Sequence, residues 1–194
     1  MHESLLKSQH DTTIEVTDSE LWNHFKSGDL KSYELIYRNN VQDMFNYGMS
    51  IVHDEEQVKD CIQELFLEIW KSRRNLSATN NIRYYLLKAL RWKINHYRAR
   101  EEKIKNLASQ FDFYEKHISF PFEDELIRAQ DQIANKLKVE LALSKLTSRQ
   151  KEVITLIFHE GLSYEEVANI MSISVGSIYT LAWKAISQLK KVIF

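Results

Sequence analysis

Proline occurs once in the 194 residues of this chain, cysteine once and glycine four times, and each scarcity excludes something. So few turn-forming residues speak against a sheet of many short strands, whose hairpins need them, and favour long helices with few breaks. The lone thiol, Cys61, cannot form an internal disulfide and has neither a CxxC partner nor an adjacent histidine, as expected of a near-core residue in a reducing compartment. No apolar run approaches the roughly 18 residues of a membrane span, and the N-terminal MHESLLKSQHDTTIEV has no signal-peptide core. The expected location is therefore cytoplasmic, without membrane insertion. A glycine-rich phosphate loop is missing, and His159-Glu160 lacks the second histidine of an HExxH zinc helix. These absences lead to an all-α protein that is not an enzyme and requires no cofactor or metal.

Charge is present in abundance but unevenly placed. Residues 1–70 hold 5 Lys and Arg against 14 Asp and Glu, whereas residues 71–105 hold 11 against 2, so a net formal charge of -1 conceals two opposed segments. Such a chain can meet a polyanion with one surface and a basic protein with the other.

Residues 1–17 are polar and aperiodic and read as a flexible tail. From Asp18 apolar residues recur at helical spacing, predicting two or three helices broken near Gly28-Asp29 and around Asn39-Asn40. From Glu55 to Trp70 an amphipathic helix carries Val58, Ile62, Leu65, Phe66 and Ile69 on one face. After a polar loop at 75–81, Asn80 or Asn81 can cap a long helix, IRYYLLKALRWKINHYRARE. The only proline, Pro121, falls in an aperiodic segment read as a linker, 106–123, which divides the chain into two small helical domains, 18–105 and 124–194.

The C-terminal domain contains two capping boxes. Thr147 with Gln150, and Ser163 with Glu166, each predict a helix start at which two orphan backbone donors are satisfied reciprocally. Val153, Ile154, Ile157 and Phe158 form the first apolar face and Gly161 the stop; Val167, Ile170 and Met171 form the second. Ser174 caps a third helix with Ile178, Leu181, Ala182, Ala185, Ile186 and Leu189 on its apolar side. A short helix, a turn of about three or four residues and a longer helix match the geometry of a helix-turn-helix. Ser174, Ser177, Tyr179, Thr180 and Lys184 are its candidate DNA-facing groups. Taken alone, the segment also fits a plain three-helix bundle.

A second signal lies in the long helix after residue 81. Arg83, Tyr84, Tyr85, Lys88, Arg91, Trp92, Lys93, His96, Tyr97, Arg98 and Arg100 interleave cations with rings. Cations at this density repel unless an external anion neutralises them, and phosphate is the obvious anion. Flat rings beside them offer surfaces on which unpaired bases stack. Tyr85, Leu86, Ala89, Leu90, Ile94 and Tyr97 recur at helical spacing and include the buried face, leaving Tyr84 and Trp92 as the better stacking candidates.

Together the two signals resemble the sigma-70 family of bacterial RNA polymerase sigma factors. DCIQELFLEIWK is similar to the DxxQExFLxxW segment of the second sigma region, NIRYYLLKALRWKINHYRARE to the adjoining promoter-melting and -10 segment, and residues 143–190 to the fourth region. Without a third-region domain or a long N-terminal inhibitory segment, the chain resembles the extracytoplasmic-function group. The resemblance implies that Asp60, Gln63, Glu64 and Phe66 meet the coiled coil of the largest polymerase subunit. Arg83, Lys88, Arg91, Trp92, His96, Tyr97, Arg98 and Arg100 would face the -10 strand, and Ser174, Ser177, Tyr179, Thr180 and Lys184 the -35 element. The implied partners are core RNA polymerase, through that coiled coil and the flap of the second-largest subunit, promoter DNA and an anti-sigma factor. The chain departs from many relatives at Tyr179, Leu181 and Trp183, which stand where basic residues or histidine are customary. A regulator of the LuxR type is the alternative; it accounts for the C-terminus but not for the basic aromatic helix.

Overall fold

A computed structural model describes residues 16–108 and 141–193. Its elements are α1 (Asp18–Ser27), α2 (Leu30–Ile51), α3 (Glu55–Ser72) with a 3-10 turn at Arg73–Asn75, and α4 (Ile82–Ala108). Beyond residue 140 come α5 (Ser148–Ile154), continued by a π turn at Thr155–His159, then α6 (Tyr164–Met171) and α7 (Val175–Ile193). The described residues are helices and their connections, with no strand among them. No helix among them is long and apolar enough to cross a membrane.

Local chemistry sets the boundaries. Thr17 caps α1 with Glu20 in a full capping box, so the segment read as tail ends by starting a helix. Asp29 caps α2 through Lys31 and Ser32, at the expected break. The second expected break does not occur: α2 runs unbroken through Asn39 and Asn40. Asn40 is buried and its amide donates to the Ile36 carbonyl one turn earlier at 2.8 Å, which satisfies the side chain without ending the helix. Asn81 is the residue that caps α4, its Oδ1 accepting from the Tyr84 N–H at 2.9 Å. α4 continues to Ala108, three residues into the segment read as a linker; the remainder of that segment, 109–123, and the helix expected from residue 124 lie outside the described residues up to 140.

The N-terminal core forms where α2, α3 and α4 meet under α1. The predicted stripe of α3, Val58, Ile62, Leu65, Phe66 and Ile69, is buried together with Cys61, and it faces Ile36, Met44 and Tyr47 of α2 and Leu86, Leu90 and Ile94 of α4 within one apolar cluster. Each such side chain contributes roughly 1.5–3 kcal/mol on burial. Trp22, fully buried, lies 5.0 Å from Phe25 and 4.9 Å from Tyr85 and donates its indole N–H to the Ser77 carbonyl at 2.9 Å. That bond pins the loop before α4, and the Asp18 carboxylate accepts the Ile82 N–H at 2.8 Å, tying the start of α1 to the start of α4. Burial pushes the Cys61 thiol up to about 11, so it stays protonated at neutral pH.

At Gly48 of α2 the backbone lies close against Val58 of α3. A Cβ there would stand 2.5 Å from Val58 Cγ1. Val58 is β-branched and fully buried, so it has little freedom to give way. Gly48→Val is expected to cost at least about 2 kcal/mol through overpacking, visible as a lower urea midpoint at an unchanged slope.

The C-terminal unit is built on α7, whose Ile178, Ala182 and Ala185 are buried against α5 and α6. Both predicted capping boxes are formed. The first apolar face differs from expectation. Phe158 is 62% exposed, Ile154 and Ile157 are half-buried, and Leu156 and Glu160 take the inward positions. The cause is the π turn, in which the Glu160 N–H reaches the Thr155 carbonyl at 3.0 Å and the wider turn rotates Phe158 outward. Gly161 follows at φ +67, the left-handed stop expected there.

The two halves share a boundary: α5 lies on α2 and α6 on α4. Buried side chains of both belong to one continuous apolar cluster, and the polar contacts at its edge bear on the functional surface described next.

Candidate nucleic-acid interface

The capped helix that follows the three-residue connection Ser172–Ile173–Ser174 is the exposed element of the C-terminal half. Ser172 holds the turn at φ 55, a left-handed position, and Ser174 accepts the Ser177 N–H at 3.2 Å while the two hydroxyls lie 2.8 Å apart. Ser174 and Ser177 thus cap α7 at the surface, where DNA-facing groups of a recognition helix are expected. Thr180 is exposed but donates its hydroxyl to the Gly176 carbonyl at 3.0 Å. Tyr179 is 55% exposed and stacked on Tyr164 at 4.3 Å and 13°, which fixes its ring direction from the preceding helix. Lys184 is exposed. Trp183, 69% exposed and absent from the predicted set, lies three residues after Thr180 on the same face, a placement its i, i+3 spacing announces.

On α4 the eight predicted residues divide into two groups. Lys88, Trp92, His96, Tyr97, Arg98 and Arg100 are exposed. Trp92 is 65% exposed, and its indole lies parallel to the His96 ring, 5.2 Å between centroids at 6°, so a flat ladder of two rings stands outward among cations. Tyr97, which helical spacing grouped with the buried face and the resemblance with the DNA-facing set, is 40% exposed. Tyr84, by contrast, is half-buried against the core with the Lys88 ammonium 5.8 Å from its ring.

Arg91 is largely covered, with 15% of its side chain exposed, and Arg83, 38% exposed, is engaged by carboxylates at its inner edge, in contrast to the free outward display predicted for both. Arg91 Nε donates to Glu152 Oε1 at 2.6 Å and its Nη1 to the Ile170 carbonyl at 3.2 Å. Arg83 pairs with Asp43 and lies 3.5 Å from Glu160 Oε2. Carboxylates of the protein itself therefore neutralise both guanidinium groups. Lys93 is likewise internal, donating to Glu64 at 2.9 Å and Glu68 at 2.8 Å. Burial alone lowers the pKa of that ammonium, but the bonds to Glu68 and Glu64 outweigh it and hold the group above its usual value, fully charged at neutral pH.

Beneath Trp92 a cavity of about 270 Å³ opens between α3 and α4, lined among others by Leu76, Tyr85, Ala89, Trp92 and Lys93. On the exposed side of α3, Asp60, Gln63, Glu64 and Leu67 form one stripe at helical spacing, with Glu64 at its α4 edge where it meets Lys93. Leu67, 54% exposed and absent from the predicted set, shares the stripe through its spacing from Asp60 and Gln63. Phe66 does not belong to that stripe. It is 2% exposed, its ring lying 4.9 Å from Tyr37 and 6.0 Å from Tyr33, because it falls on the inward stripe with Ile62 and Ile69. A cleft of about 370 Å³ between α2 and α3, lined by Tyr37, Phe45, Lys59 and Gln63 among others, continues this stripe.

A capped helix-turn-helix joined to a helical half with a cationic aromatic surface defines a DNA-binding protein of the helix-turn-helix class. Comparison with known proteins narrows this. Residues 36–104 match the family model for sigma-70 region 2 and residues 142–191 that for sigma-70, region 4, which together span more than half of the chain. The RNA polymerase sigma-H factor of Pseudomonas aeruginosa is 24% identical over 91% of this chain and 93% of its own. The RNA polymerase sigma factor YlaC of Bacillus subtilis is 28% identical over 82% and 91%, and the extracytoplasmic-function sigma factor SigX of the same organism 23% over 83% of each. Among solved structures, the sigma factor RpoE in complex with the anti-sigma factor NepR from Bartonella quintana superposes at a TM-score of 0.60 with 20% identity, covering 84% of this chain and 98% of that one. CnrH in complex with the cytosolic domain of CnrY gives 0.58 at 19% identity, covering 91% and 96%. These structures share the fold. The chain belongs to the sigma-70 family of RNA polymerase sigma factors, in its extracytoplasmic-function group. It is a factor for promoter-specific initiation of transcription by RNA polymerase, a family whose members are non-catalytic.

Proposed function

We propose that the chain is a dissociable specificity subunit in which three surfaces divide the work. The α3 stripe of Asp60, Gln63, Glu64 and Leu67, with the cleft beside it, docks on the coiled coil of the largest polymerase subunit, acid and amide meeting basic side chains. α7 enters the major groove of the -35 element with Ser174, Ser177, Tyr179, Thr180, Trp183 and Lys184, while its domain rests on the flap of the second-largest subunit. The outer face of α4 takes the non-template strand at -10 and stabilises its melting.

The observation that carries this reading is the exposed Trp92–His96 ladder between Lys88 and the Arg98–Arg100 pair, set over a cavity large enough for an unstacked base. Base stacking on such a ring contributes about 1–3 kcal/mol per base, which offsets the few kcal/mol of unstacking each step. An anti-sigma factor is the expected antagonist, covering the polymerase-facing stripe.

Run-off transcription with purified core polymerase on genomic fragments tests the assignment. Discrete transcripts are expected only when both are present. In a gel shift without core enzyme, the free chain is expected to bind the same fragments weakly; tight binding by the chain alone would contradict the division of labour.

A further inference from the structure

The first turns of α7 are short of free polar groups. The Ser174 and Ser177 hydroxyls lie 2.8 Å apart, and Ser174 also accepts the Ser177 N–H at 3.2 Å, so the cap is closed on itself. Thr180 donates its hydroxyl to the Gly176 carbonyl at 3.0 Å. From Val175 to Lys184 the only charged residue is Lys184, while the preceding helix α6 brings Glu165 and Glu166. What this face offers in quantity is ring surface: Tyr179, 55% exposed, and Trp183, 69% exposed, one helical turn apart. The Tyr179 ring lies on Tyr164 at 4.3 Å and 13°, so one of its faces is covered and its direction is set before any ligand arrives. A ring already held in place loses little freedom on binding.

We infer that Tyr179 and Trp183 read thymine in the -35 element, through van der Waals contact with its C5-methyl group. The inference rests on the sigma-factor reading given above and names what that helix recognises. In the major groove every base presents donors or acceptors, and thymine alone adds an apolar group. Guanine, adenine and cytosine are told apart chiefly by arginine or lysine, by asparagine or glutamine, and by a carboxylate. Between Val175 and Lys184 the chain has one such residue, Lys184, at the far end of the stretch. Two exposed rings therefore outnumber the groups able to read any other base, and the seryl and threonyl hydroxyls beside them are already engaged. The four-residue spacing sets the rings about 6 Å apart along the helix, near two steps of a duplex that rises about 3.4 Å per base pair. They reach methyl groups about two base pairs apart, on either strand of the groove.

The test alters the DNA first, so that no variant has to fold. The promoter fragment giving the strongest run-off transcript is synthesised as a duplex with uracil in place of each thymine of its -35 segment, which deletes the methyl groups and keeps every hydrogen-bonding group. Affinity of the full chain with core polymerase is expected to fall about fourfold for each methyl contacted, the factor for burying one methyl-sized group, and about 16-fold for two. The same exchange in the spacer between -35 and -10 should change nothing. Trp183→Ala and Tyr179→Ala should each weaken binding to the thymine duplex and shrink the uracil penalty. Tyr179→Phe keeps the ring and should retain the penalty that Tyr179→Ala loses. Lys184→Gln should weaken both duplexes by the same factor, as expected of a group that does not touch the methyl. Equal affinity for the two duplexes, an unchanged penalty in both alanine variants, or a -35 segment with no thymine in either strand overturns the inference. So does a penalty lost in Tyr179→Phe as fully as in Tyr179→Ala, which would assign the contact to the hydroxyl. Absence of any transcript with core enzyme overturns the sigma-factor reading and this inference with it, whereas transcription from a promoter indifferent to uracil overturns this inference alone.

Discussion

Trp92→Ala is expected to lower run-off initiation from closed duplex promoters by about five- to a hundredfold, because each lost base stack forfeits about 1–3 kcal/mol and 1.4 kcal/mol is tenfold. Stability should barely move. The indole is 65% exposed and meets mainly the His96 ring, and surface substitutions of this kind stay within about 0.5 kcal/mol. Function and folding therefore separate at this residue, as they would not at Tyr85, which packs against Trp22 at 4.9 Å. On a template whose -10 segment is already unpaired, most of the loss should be recovered, since no unstacking remains to be offset. Trp92→Phe keeps a stacking face and should retain most activity on both templates. Initiation rates measured on matched duplex and bubble templates check this, and an equal loss on the two would remove Trp92 from melting.

Much of the fold is legible in the sequence, and what is legible follows from local chemistry. Thr147 with Gln150 and Ser163 with Glu166 fix helix starts within four residues, so the sequence placed the helix-turn-helix correctly. The α3 stripe was legible because a single face is buried and the spacing repeats over the whole length of the helix. Errors arose where a long-range or non-standard contact decides. Asn40 looks like a breaker until its amide finds the Ile36 carbonyl, and Phe158 looks buried until the π turn alters the register. Phe66 sits in a motif that resemblance assigns to polymerase contact, yet periodicity alone places it with Ile62 and Ile69 on the inner face. The inward pairing of Arg83 and Arg91 could not be read at all, because Arg91 and Glu152 are separated by 61 residues and nothing in either segment announces the other. Composition showed opposite charge along the chain, but only the fold shows how much of it is spent internally.

The remaining cost falls on the acidic side of that division. Asp60→Lys is expected to weaken binding to core polymerase by at least about a hundredfold, since a cation set against the basic surface proposed for the coiled coil costs several kcal/mol. Asp60 is the informative choice within its stripe. Glu64 is bridged to Lys93 at 2.9 Å, so reversing it would also disturb α4 and confuse docking with promoter capture. Asp60 is exposed and forms no ion pair among the described residues, so its loss leaves the fold and the α4 surface as they are. Two measurements follow from the electrostatic origin of the effect. Affinity of the unmodified chain for core enzyme should fall as ionic strength rises, and that dependence should flatten in the variant, because the screened attraction has been removed. Leu67→Ala, by contrast, removes apolar contact and should weaken docking with little change in salt dependence, through faster dissociation. If Asp60→Lys leaves core affinity intact while Leu67→Ala does not, the stripe docks by its apolar residue and the charge of residues 1–70 serves another contact.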